Sequence, residues 1–477
     1  MRPPYTGSDL AAMTACEVTG LLARREVSPQ ELIEASLART ADTEPAINAM
    51  PTLCPDRARA HAERLRTAPA EAGPGCLHGL PVSIKDLTAV AGVTLTCGTP
   101  GLAGFVPAES DPLVERMEAR GGIVMGKTNT PEFGAGGNTF NAVFGPTRNP
   151  WDTGLNPGGS SGGAAAGLAA GQVWLAEGSD HGGSLRTPAA YCGIVGLRPS
   201  PGRAGGGTRE AAFGLEGVHG PMARTVEDCA LLLDTMTGFD PRQPLSIAEP
   251  AHPFRAAVQE ARPGFRVAFA PDLGGFAPVE AEVRDMLAAA MQALEGTGTL
   301  IEEAAPDTSG LYETYTTLRA FGQASGPGQM PEAVQAHYKQ TLRDNIAAGR
   351  ALTVDDVMRA NRARSLIYHR TREFLLRYDV IACPVVGLPA QPCEVEYPRS
   401  VDGRPMADYV DWLRFAYLAT MCTLPAISVP IGLTAAGTPM GLQLIGQPRG
   451  EAALLAAARV LEQAVGFGHR PIDPVTR

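Results

Sequence analysis

The chain is short of positive charge: Lys and Arg total 40 against 50 Asp and Glu, a net charge of −10. No run of basic residues is long enough to neutralise a row of phosphates, so nucleic acid is not expected as a partner. Long apolar runs are also missing. Nothing approaches the ~18 consecutive apolar residues that span a bilayer. The opening stretch, "MRPPYTGSDLAAMTACEV", lacks the basic start and apolar core of a secretory signal. The nine cysteines stand singly from Cys16 to Cys422, without a C-x-x-C pair or zinc spacing, which fits reduced thiols and points to no metal. No internal repeat or low-complexity segment occurs. A cytoplasmic protein with no membrane partner is expected. What the chain does have is length and apolar content, 477 residues at 44% hydrophobic, enough for one large core.

The order of elements reads as α/β. "VSPQELIEASLART" opens a helix, with Ser28 as cap, Pro29 in the first turn and Glu31 completing a capping box. "LPVSI" is a strand candidate that turns at Lys85–Asp86. A helix capped at Asp111 stops at Gly121–Gly122 and gives way to a strand through Ile123–Met125. A helix capped at Thr225, a strand in "FRVAFAPDLGG" and a long amphipathic helix in "VEAEVRDMLAAAMQALEGTG" continue the alternation. Residues 306–377 read as mostly helical, with "FGQASGPGQMP" as a loop that could cover a site. "YDVIACPVV", "AISVPIG" and "GLQLIG" are further strands, and "EAALLAAARVLEQAVG" a closing helix. One domain over 1–477 is expected, with a helical subdomain around 240–370.

Two glycine-rich runs carry the chemistry. "NPGGSSGGAAAG" sets Ser160 and Ser161 between glycine pairs, where positive φ or close backbone approach is at stake. "GSDHGGSLRTPAA" sets Ser184 after two glycines, just beyond the buried strand candidate "VWLAEG". That is the C-terminal end of a strand, where open α/β sheets bind ligands. The N–H groups of His181, Gly182, Gly183 and Ser184 could converge on one anion, an oxyanion hole beside a hydroxyl nucleophile. Such a hydroxyl needs a base. His181 is local but lacks an orienting carboxylate other than its neighbour Asp180. Lys85 is the alternative, following an apolar strand in a chain with few lysines. Its pKa would have to fall by ~3 units from ~10.4, about 4 kcal/mol, which only deep enclosure supplies.

Together with "GLPVSIKDL", "GKTNTPEFG", "FGPTRNPWD" and the late "LPAISVPIGLTAAGTPMGLQLIG", these runs resemble the amidase signature family of serine hydrolases over almost the whole chain. The resemblance implies an α/β fold with a large mixed sheet covered by helices on both faces. It also implies a Ser-cisSer-Lys triad: Lys85 as base, Ser160 as the serine that relays the proton, and Ser184 as nucleophile, the 24-position spacing of the serines selecting Ser160 over Ser161. Ser161, Asp180 and Arg186 would brace the site, and Ala135, Gly136, Gly137 and Asn138 would line the substrate. No cofactor is implied. Ser179 and His181 replace the family's commoner threonine and small or polar residue, so the pocket mouth is expected to differ.

Each feature also has a plainer interpretation. A lone Gly-Ser run is more often a loop before a packed helix, an isolated lysine is more often solvated, and Asp180–Arg186 could be an ordinary ion pair. His181 fits pocket lining better than a base. Cys192 reads as core, and Trp151 and Trp174 as packing, with Trp412 the tryptophan to face a pocket. The expected activity is hydrolysis of small to medium amides, with esters, anilides or carbamates served by the same acyl-enzyme. The alternatives are the glutaminase subunit of a tRNA-dependent amidotransferase and a catalytically silent scaffold. A homodimer is left open.

Overall fold

The computed structural model describes residues 2–206 and 212–476. Eleven strands form one mixed sheet. In chain order they are β1 (Thr52–Leu53), β2 (Leu80–Lys85), β3 (Gly122–Thr128), β4 (Leu175–Asp180), β5 (Val195–Arg198), β6 (Val218–Ala223), β7 (Arg266–Phe269), β8 (Leu300–Glu303), β9 (Val380–Pro384), β10 (Ala426–Leu433) and β11 (Pro439–Gly446). Their order across the sheet is β1-β3-β2-β4-β6-β5-β10-β11-β9-β7-β8. β2 runs parallel to both β3 and β4, whereas β4, β6, β5, β10, β11 and β9 are joined by antiparallel pairs. Every residue of β2, β3 and β11 is buried. Strands buried on both faces need cover on both, which is the layered α/β arrangement.

The helix starts follow their caps. Ser28 accepts the Glu31 N–H while Glu31 accepts the Ser28 N–H, and Asp111 and Thr225 cap Pro112–Ala119 and Val226–Met236. The "FGQASGPGQMP" stretch differs from expectation. Leu311–Ser325 is one helix that runs through its first half, since only the Gly326–Pro327 pair breaks the helical period, and a short 3-10 turn follows at Pro327–Gln329. Within 240–370, β7 and β8 belong to the main sheet, and the continuous helical run begins at Leu311. Among the described residues no helix is long and apolar enough to cross a membrane.

The helix Gly162–Ala170, wholly buried, follows the paired serines. Gly163 donates its N–H to the Asn129 carbonyl at 3.2 Å, and a Cβ built there would collide with the backbone of Asn129 and Ala49. Glycine is required by that approach. Gly163→Ala is expected to destabilise the protein by about 1–3 kcal/mol, read as a lower midpoint in denaturant unfolding; an unchanged midpoint would contradict this packing.

Candidate active site

Parallel pairing of β2 with β4 brings the C-terminal ends of both strands together. Lys85 is the last residue of β2, and the loop carrying Ser184 follows β4. Lys85 is fully buried. Its Nζ lies 2.7 Å from Ser160 Oγ, 2.8 Å from Ser161 Oγ, 3.1 Å from Ser179 Oγ and 3.4 Å from the Ser179 carbonyl. Burial pushes the amine's pKa down to about 7, against the upward pull of Glu177 and Asp180. An ammonium has only donors, whereas a neutral amine has a lone pair that can take a proton from a bonded hydroxyl. Ser161 Oγ also lies 3.3 Å from the Ser179 carbonyl, to which it donates.

The peptide bond between Gly159 and Ser160 is cis. Ser161 donates its N–H to the Ser184 carbonyl at 3.1 Å, tying the two serine-bearing runs together. Ser184 is 9% exposed, against 2% for Ser160 and none for Ser161. It is therefore the serine of the three that reaches toward solvent.

Asp180 organises the Ser184 loop. Its Oδ1 accepts the Gly183 N–H and its Oδ2 the Leu185 N–H, both at 3.1 Å. Arg186 grips both oxygens at 2.8 and 3.0 Å, and Arg198 donates to the Asp180 carbonyl at 2.5 Å. Burial alone would raise the Asp180 carboxyl, but Arg186 and Arg198 outweigh it and hold the group well below the usual range. Arg186 reaches on to Gln443 Oε1 at 2.5 Å. Because Gly183 donates its N–H to Asp180, the loop amides with no such partner among the described residues are those of His181, Gly182 and Ser184.

His181 donates nothing from Nε2, which is buried without a partner. Burial, reinforced by Arg319 and Arg198, pushes its pKa well down and keeps the ring neutral. It meets Tyr315 edge to face at 5.9 Å, and Tyr315 stacks on Tyr417 at 3.5 Å. The Tyr315 hydroxyl lies over the Gly182 Cα, where any side chain would strike it. Ala135 and Asn138 are buried. Gly134 abuts Ser160 Oγ, and the Trp412 ring packs on Gly137, so this loop lies beside the serines. Asn138 Nδ2 is committed to the Cys393 and Val395 carbonyls, at 2.9 Å each.

Every residue singled out from the sequence for the site thus falls in one neighbourhood. Glu177, Arg198, His219 and Gln443 join it without having been anticipated. Glu177 left one signal, an acid inside an apolar strand run, which burial makes unusual. A cleft of about 520 Å³ lies elsewhere, lined by Thr14, Arg224, Arg255, Glu462 and His469 among others, and includes none of these residues. Cys192, Trp151 and Trp174 are core.

The profile of the Amidase family matches residues 31–455. An acylamidase from Rhodococcus erythropolis is 37% identical over 461 residues, 96% of this chain and 96% of its own. One component of the glutamyl-tRNA(Gln) amidotransferase of Anaeromyxobacter dehalogenans (strain 2CP-C) is 36% identical over 487 residues, covering 95% of this chain and 96% of its own. The crystal structure of a bacterial aryl acylamidase of the amidase signature enzymes superposes with a TM-score of 0.89 at 28% identity, over 96% of this chain and 98% of that one.

Proposed function

Because the chain belongs to the amidase signature family, we propose that it is a free-standing amidase that cleaves the C–N bond of small to medium amides through an acyl-enzyme on Ser184. The 2.7 Å contact between the buried Lys85 amine and Ser160 Oγ carries this reading. Neutral Lys85 takes the Ser160 proton as Ser160 takes that of Ser184, and the Ser184 oxygen attacks the acyl carbonyl. The N–H groups of His181, Gly182 and Ser184 stabilise the resulting oxyanion, an interaction realised mainly in the transition state, while that of Gly183 stays on Asp180. The relay runs back to protonate the leaving nitrogen, and the C–N bond breaks. Water then gives its proton to the same relay, attacks the acyl-enzyme and releases the acid. Asp180 and Arg186 hold the loop, and Ala135–Asn138 with Trp412 line the acyl or amine side.

The acylamidase and aryl acylamidase likenesses favour N-acyl amides and anilides as substrates. The second reading, a glutaminase working with a partner protein, is favoured by the 36% identity to the amidotransferase component. Hydrolysis screening of the purified chain separates them, using aliphatic amides, anilides, esters, carbamates and glutamine with Ser184→Ala as the blank. Turnover of anilides or aliphatic amides by the chain alone, with no glutamine preference, is expected. Turnover of glutamine alone, or only when an amidotransferase partner is added, would overturn the free-standing assignment. No reaction of Ser184 with a fluorophosphonate would favour a silent scaffold.

A further inference from the structure

Behind Lys85 lies an acid–base pair, a buried glutamate and a partly buried histidine, that takes no part in the steps above. Glu177 is completely buried in β4. Its Oε2 accepts the backbone N–H of Lys85 at 2.9 Å. Its Oε1 lies 2.7 Å from His219 Nδ1, on the neighbouring strand β6, and 3.3 Å from Thr88 Oγ1. Antiparallel pairing fixes this geometry, with Ser179 directly opposite His219 and Glu177 opposite Pro221.

We propose that Glu177 and His219 are positioning residues that govern whether the Lys85 amine holds a proton, resting on the reading of Lys85 as the base. A buried carboxylate near an amine favours the ammonium. An imidazolium bonded to that carboxylate offsets its charge and lets the amine stay neutral. The remaining charges nearby are already matched. Lys127 on β3 pairs with Asp86 at 3.3 Å, and Asp180 is held by Arg186 and Arg198. Asp111, at the cap of Pro112–Ala119, is the other acid that acts on His219. Lys85, Glu177 and His219 therefore form a chain in which each charge answers the next. Burial would lower the His219 pKa, but the Glu177 hydrogen bond and charge outweigh it and raise it, so the ring holds its proton to higher pH than a free imidazole does.

The two ends of the chain act with opposite sign. His219→Asn leaves Glu177 uncompensated, so Lys85 keeps its proton longer and the acid limb of kcat/KM moves to higher pH. Glu177→Gln removes the pull on Lys85 and moves the limb to lower pH. Each displacement is expected to be about one pH unit; for His219→Asn this lowers kcat/KM about tenfold on the acid limb, with recovery at high pH. The double variant should follow Glu177→Gln, because without the carboxylate the imidazole has nothing to offset. The experiment is the pH profile of kcat/KM for the wild type and these three variants, paralleled by the pH dependence of fluorophosphonate labelling of Ser184, which needs no turnover. Opposed displacements support the proposal. Displacements of the same sign, or unmoved midpoints with lowered activity, overturn it and leave a structural role only. If Glu177→Gln is not recovered folded, His219→Asn and His219→Gln decide: both midpoints must rise, and an unmoved one overturns the proposal. Failure of the underlying reading looks different, since Lys85→Ala would then keep both activity and the wild-type limb.

Discussion

Alanine at position 184 is expected to lower kcat/KM by about ten-thousand- to million-fold, the scale on which removal of a serine nucleophile acts. The size follows from what is lost. Ser184 Oγ is the atom that would form the acyl bond, and neither Ser160 nor Ser161 can replace it. Both are more deeply buried, and both lie against Lys85 Nζ, at 2.7 and 2.8 Å. The remaining activity would come from the loop amides alone, without covalent catalysis. The same substitution should abolish fluorophosphonate labelling while leaving the unfolding midpoint nearly unchanged, because the hydroxyl makes no hydrogen bond to the described residues. Ser160→Ala should cost less, about a hundred- to thousandfold, as loss of a proton relay rather than of the bond-forming atom. A Ser184→Ala protein that kept most of its activity would place the nucleophile elsewhere.

The second large effect belongs to Lys85. Lys85→Ala is expected to lower kcat/KM by about a thousand- to ten-thousandfold, the upper range for a general base. Lys85→Arg should not restore activity, since a guanidinium stays charged and has no lone pair to accept a proton. In the wild type, burial depresses the amine to about pH 7. With Lys85 as the proposed base, the working form is the unprotonated one, so activity is expected to rise through that midpoint as pH increases and to fall below it. In the Lys85 variants that limb should vanish from whatever activity persists. An undiminished acid limb in Lys85→Ala would assign it to another group.

Local chemistry made much of this legible in the sequence. Ser28, Asp111 and Thr225 start helices where their capping oxygens predict. "LPVSI" is a strand, and Ser184 follows a buried strand, as the apolar run "VWLAEG" implies. The roles given to Ser160 over Ser161, and to Ala135–Asn138, came from family resemblance and not from the residues themselves. What stayed hidden depends on the lateral order of the strands. Glu177 and His219 are 42 positions apart and Arg186 and Gln443 are 257 apart; nothing local announces that β6 inserts between β4 and β5. The Gly183 N–H likewise looks free in sequence, and only the loop's curl brings Asp180 Oδ1 onto it.

Lysine is scarce enough here for the amine itself to be observed. The chain has three, Lys85, Lys127 and Lys339, so a protein labelled with 13C at lysine Cε gives a spectrum in which Lys85 is assigned by substitution. Its chemical shift is followed from acid to alkaline pH. A midpoint near 7 is the predicted result. A Lys85 amine that stays protonated up to about pH 10, the ordinary lysine range, would leave Ser160 with nothing to accept its proton, and would contradict Lys85 as the base.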